Sequence, residues 1–165
     1  MSSPSTTYRI HEPSALKTIF ISTLIAGTLD ISAAIIQFYL KGGQPIKIFY
    51  YIASGVFGKE IAYGNGDSMA VLGLLFHYVI AFIWSIFMFL IYPWARSIFK
   101  NKILLGVLYG IFVWLVMNRV VVPLSNTPSL KFTWDGAIIG CLILIFCIGI
   151  PITWIVSRFY SRQEI

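Results

Sequence analysis

The chain has 165 residues, a mass of 18.6 kDa and a net charge of +6, a length that suits one domain. Hydrophobic residues make up 58% of it and charged residues only 11%, against about 25% in a soluble domain, and the mean hydropathy is +0.85. So few charges do not cover a soluble surface, and 16% aromatic content excludes a disordered chain, which leaves an integral membrane protein.

Residues 1–15 form a short polar tail. Four apolar runs follow, at about Thr18–Leu40, Met69–Tyr92, Ile103–Leu124 and Trp134–Val156. Each supplies the roughly 20 residues that a helix needs to cross hydrocarbon, and each is too long for a barrel strand. Polar residues bracket them: Lys17 and Lys41, Asp67 and Arg96, Lys102 and Lys131, Asp135 and Arg158. A cleaved signal peptide, with Ser32 and Ala34 before the cut, is the competing reading of the first run. The length of that run and Asp30 at its middle argue against it.

The connection from Lys41 to Ser68 is more than a loop. Ile46, Phe49, Tyr50, Ala53, Val56 and Phe57 recur at helical spacing, which predicts an amphipathic helix over about 45–61, either lying in the interface or re-entering the membrane. Gly64-Asn65-Gly66-Asp67 then reads as a turn. The two later connections are short and make neighbours antiparallel. Four spans put both termini on one side. With termini inside, the inner face carries seven basic residues (Arg9, Lys17, Arg96, Lys100, Lys102, Arg158, Arg162) and the outer face five (Lys41, Lys47, Lys59, Arg119, Lys131). The positive-inside rule therefore predicts cytoplasmic termini.

Each span carries a stripe of small or polar residues: Ser22, Ala26, Asp30, Ala33 and Gln37 on the first, and Gly73, His77, Ala81 and Ser85 on the second. Gly106 and Gly110 on the third continue to Met117; Gly136 and Gly140 on the fourth continue to Cys147 and Pro151. In lipid, small residues mark close backbone approach, so these four glycines are expected at helix contacts. Tyr92, Trp94, Trp134 and Tyr160 read as interfacial anchors, and Asp135 as the cap of the fourth span.

Asp30, His77, Asn118 and Arg119 are the candidate binding or coupling residues. An ionisable group in mid-span costs about 2.5–3.5 kcal/mol on insertion scales. Asp30 is thirteen residues past Lys17 and eleven before Lys41, close to mid-membrane. His77 is roughly 12 Å in from the start of its span at 1.5 Å per residue. All four fall in one half of the bilayer. Asp30 and His77 share facing stripes, Asn118 sits at the edge of its stripe, and Arg119 points off it, toward snorkelling. A polar clamp holding the helices in register competes with a proton- or substrate-accessible site, and Asp30 and His77 are expected to couple.

Enzyme signatures are missing: no Gly-x-Ser-x-Gly, no His-Glu-x-x-His and no phosphate loop around Gly58-Lys59. Cys141 and Cys147 lie on different faces of one helix, and His11 is in the tail, so no disulfide, metal or cofactor is expected. The basic residues sit singly at span ends, which predicts lipid and not nucleic acid as the partner, with a homo-oligomer open.

His77 to Tyr92 ending in Pro93, the Gly106–Gly110 pair, Pro123-Leu124 followed by Thr127-Pro128, and a last helix closing on Arg158 together resemble the small bacterial inner-membrane proteins of the YagU type. The resemblance covers about the last hundred residues. It implies a bacterial cytoplasmic membrane and carries no residue roles. The expected fold is an all-α, integral membrane four-helix bundle with one interfacial helix between helices one and two. The first function class is non-enzymatic: membrane assembly, lipid contact or stress tolerance. A small oligomeric transporter or proton-linked permeation unit using Asp30 and His77 comes second, and a membrane-embedded enzyme third.

Overall fold

A computed structural model describes residues 14–129 and 132–162. The tail with Arg9 and His11, and Lys131, lie outside the described residues. Four long apolar helices pack together: α1 (Ala15–Leu40), α4 (Asp67–Ile98), α5 (Lys102–Leu124) and α6 (Trp134–Ser161). Each is long and apolar enough to cross a membrane. Two shorter helices, α2 (Ile46–Phe57) and α3 (Lys59–Gly64), fill the first connection. Among the described residues there is no strand.

The helix ends follow from local chemistry. Ser14, Asn101 and Thr133 accept backbone N–H groups of the first turns of α1, α5 and α6. Thr133, not Asp135, caps α6: its Oγ1 accepts the Gly136 N–H at 3.2 Å. The expected 45–61 helix is two helices broken at Gly58, whose φ of 79° favours glycine. α4 runs on through Pro93 to Ile98. Pro93 has no N–H for the Phe89 carbonyl, and the Tyr160 hydroxyl donates to that oxygen at 3.0 Å. Tyr160 and its stacking partner Tyr92 are thereby drawn into the packing, whereas Trp94 and Trp134 are exposed.

Both α5 and α6 change to π-helix before a proline. The segment Met117–Val121 precedes Pro123, and Ile145–Gly149 precedes Pro151. A π-turn holds one extra residue, which accommodates the missing proline donor and turns everything beyond it by about 100°. A constant 3.6-residue register therefore fails past each segment.

α6 touches α1, α4 and α5, and α1 packs along α4. Helices α5 and α6 come closest at glycines. A Cβ on Gly149 would meet the Gly106 carbonyl oxygen at 2.2 Å, and one on Gly110 would meet Ile145 Cα at 2.5 Å. Gly106 and Gly110 are thus contact positions, as the stripe predicts. At Gly136 and Gly140 no neighbouring backbone comes so close. The nearest neighbour of a Cβ on Gly140 is the Trp114 indole at 3.3 Å, and for Gly136 it is its own cap, Thr133. The π-segment explains the difference, because it brings Gly149 round to α5 in place of the Cys147–Pro151 continuation.

The half of the domain nearer the described chain ends (the terminal half) is solid. Met88, Tyr92, Leu105, Tyr109, Ile152 and Val156 form its core. The Tyr109 hydroxyl donates to the Trp84 carbonyl at 2.6 Å. The other half, carrying α2 and the connections, is hollow.

Candidate functional site

A cavity of about 880 Å³ occupies that second half. α1 lines it with Asp30, Ala34, Gln37 and Lys41, and α4 with His77, Ile80, Ala81 and Trp84. α5 contributes Val113, Trp114 and the π-turn residues Met117, Asn118 and Arg119. α6 contributes Gly136, Gly140, Ile143 and Ile148. The lining stops at Trp84, Val113 and Ile148, so the cavity ends on the core.

All four candidate residues meet here, but in unequal ways. His77 is buried, and its Nε2 donates to the Gly27 carbonyl of α1 at 2.8 Å. That bond fixes the Nε2–H tautomer. Asp30 lies one turn further along α1. Among the described residues no hydrogen bond or ion pair holds its carboxylate, although His77 is near enough to act on it electrostatically. The imidazole is anchored by the backbone of α1, while its link to Asp30 is electrostatic. Cys147 also lies within electrostatic reach of Asp30. Asn118 Nδ2 donates to the Trp114 carbonyl at 2.9 Å, at the change from α- to π-helix. Arg119 does not leave the site. The π-turn swings it onto the cavity wall, with its guanidinium 5.8 Å from the centre of the Phe132 ring. Lys41, at the same rim, supplies a second cation.

The fourth wall is α2, through Ile48, Tyr51 and Ile52. It is docked rather than loosely laid on the interface. A Cβ on Gly73 of α4 would fall 2.0 Å from the Phe49 carbonyl oxygen, so α2 and α4 meet backbone to backbone. At its C-terminus, Asn126 closes the helix from the α5–α6 connection. Its N–H donates to Gly55 O at 3.1 Å and its Nδ2 to Val56 O at 3.2 Å. Neither Asn126 nor Lys41 stands out in the sequence as a site residue. An asparagine in a connection is usually a turn former, and its remote partner is set by tertiary packing. Burial pushes the Tyr51 phenol above its usual range, with a further push from Tyr63, so this wall presents neutral hydroxyls at neutral pH.

Among the described residues, no group of three or more His, Cys, Asp or Glu side chains could hold a metal ion. The arrangement can receive a small molecule with apolar walls, two rim cations and a carboxylate and imidazole at depth. Comparison with models of known protein families, with curated proteins and with solved structures finds no match for the chain. Fold and cavity define its class: among the described residues, an all-helical protein with four helices able to cross a membrane and a mostly apolar cavity, with a few polar groups, between them.

Proposed function

We propose that this is a non-enzymatic multi-pass membrane protein that binds a small amphiphilic molecule in the α2-walled cavity, a form of lipid contact. The observation that carries the reading is the cavity itself. Its volume of about 880 Å³ falls within the roughly 300–1,000 Å³ of small-molecule sites, and its mostly apolar walls hold a few convergent polar groups. Among the described residues no hydroxyl or thiol hydrogen-bonds to Asp30 or His77, and on that ground we rank an enzyme last. The YagU-type resemblance supports a bacterial cytoplasmic membrane. Basic residues support cytoplasmic termini: among the described residues the terminal end has six Lys or Arg and the opposite end four. A periplasm-active reporter fused to the C-terminus is then expected to stay silent, and strong activity would reverse the orientation.

The binding test uses the full chain in nanodiscs and a series of twelve-carbon probes: dodecanoate, dodecylamine and dodecanol. At least one probe should raise the melting temperature of the parent and leave Gly140→Leu, which fills the cavity, unmoved. Equal shifts in both proteins, or none in either, would overturn the reading. A second reading, proton-linked permeation by an oligomer, draws support from the nearness of Asp30 and His77. It additionally requires the packed terminal half to open. Proton flux from proteoliposomes that vanishes in Asp30→Asn would favour it over simple binding.

A further inference from the structure

A second depression, of about 260 Å³, lies between the beginning of α1 and the end of α6. Its walls are apolar: Ile21 and Ile25 from α1 face Ile155 and Phe159 from α6. Its mouth is cationic. Arg158 and Arg162 stand one turn apart on α6, and both line it. The Arg158 guanidinium lies over the Trp154 ring, 4.3 Å from its centre. Stacking uses the flat face of the guanidinium and leaves its in-plane N–H donors pointing outward. Among the described residues, no hydrogen bond or ion pair engages the side chain of either arginine, and the charged residues described at this end, Lys17, Arg96, Lys100, Lys102, Arg158 and Arg162, are all basic; Glu12 and Glu164 lie outside the described residues.

A basic last turn by itself is ordinary, since cations suit a helix C-terminus and the inner side of a membrane. Here, however, the paired forks sit at the head of an apolar trough that runs along two spans toward mid-membrane. The trough suits an acyl chain and the forks suit a phosphodiester, which accepts in-plane N–H bonds from planar guanidinium groups. We infer that the α1–α6 groove is a binding site for an anionic glycerophospholipid, its phosphate held by Arg158 and Arg162 and one acyl chain lying against Ile21, Ile25 and Ile155.

The test measures lipid retained on the full-length protein by native mass spectrometry, with phosphatidylglycerol and phosphatidylcholine supplied in equal amounts. The parent should retain the anionic lipid about tenfold over the zwitterionic one, a tenth of that advantage being left at high salt. Arg158→Gln/Arg162→Gln should lose the preference, as should Ile25→Trp, which fills the trough and keeps both charges. Arg158→Lys, which retains the charge and a stable helix end, should keep only part of it. Lys100→Gln, at the same end but outside the groove, should behave as the parent. Inorganic phosphate at millimolar concentration should not displace the lipid. The site is overturned if the parent shows no preference, if the double variant or Ile25→Trp retains it, if Lys100→Gln loses as much, or if free phosphate competes.

Discussion

The two halves of this molecule use the same four helices in opposite ways. Toward the chain ends, α5 and α6 meet through Gly106, Gly110 and Gly149, and Met88, Tyr109, Ile152 and Val156 fill what lies between. Toward α2, the helices separate around a cavity that holds Asp30, His77, Asn118 and Arg119. The polar residues Asp30, His77, Asn118 and Arg119 all fall in the hollow half, and the solid half is filled with apolar and aromatic side chains. The difference is made by the two π-turns and by α2. The π-turn of α5 brings Asn118 and Arg119 to the hollow, and that of α6 separates Gly149, which meets α5 backbone to backbone, from Gly136 and Gly140, which line the hollow. α2 then walls the hollow off, so that its polar groups do not face acyl chains directly. One lesson is that a glycine stripe in a membrane helix has no fixed meaning: Gly110 and Gly140 look alike in sequence and do opposite things.

The largest expected effect tests that contrast. Gly110→Ile drives a side chain into the backbone of α6 and should cost about 3 kcal/mol, seen as a large drop in melting temperature in detergent. Gly140→Ile points into the cavity and should cost under about 1 kcal/mol. Equal losses would mean that the cavity half is as tightly packed as the other.

Next comes the bond that lets α4 pass through Pro93. Tyr160→Phe leaves the buried Phe89 carbonyl without its donor and should cost about 1–2 kcal/mol. In a Pro93→Ala background the restored N–H serves that carbonyl, and the same change should cost markedly less. A double-mutant cycle of melting curves measures the difference.

The cavity pair should divide cleanly. His77→Ala removes the α4–α1 bond to Gly27 and should destabilise by about 1–2 kcal/mol. Asp30→Asn replaces a carboxyl group that has no hydrogen-bonding partner among the described residues by an amide of the same shape, and should melt within about 0.5 kcal/mol of the parent or slightly above it. If Asp30→Asn is the more damaging change, the carboxylate is a structural clamp. Acid survival of cells carrying each variant then reports whether Asp30, though dispensable for folding, matters to function.

A comparably small effect belongs to the solid half. Among the described residues, the buried hydroxyls of Ser85 and Thr153 have no hydrogen-bond partner. Thr153→Val keeps the shape and removes the unmet hydroxyl, so stability should hold or rise by up to about 1 kcal/mol. A clear loss would show that a water serves that hydroxyl and that the core there is less dry than its packing suggests.

The sequence by itself determined the four spans, their ends to within six residues, helical structure before α4, and that Asp30, His77, Asn118 and Arg119 gather in one half of the domain. Those properties are local or one-dimensional: apolar run length, flanking charge and count of residues from an end. Tertiary structure alone decided which glycines touch, where Arg119 points and what holds His77. The reason is register. A run of Leu, Ile, Val and Phe satisfies lipid whichever way it is turned, so composition does not record the extra residue of a π-turn. The Gly27 carbonyl and the C-terminal carbonyls of α2 are backbone groups that every sequence possesses. Only the packing of α1 on α4, and of the α5–α6 connection on α2, chose His77 and Asn126 as their donors.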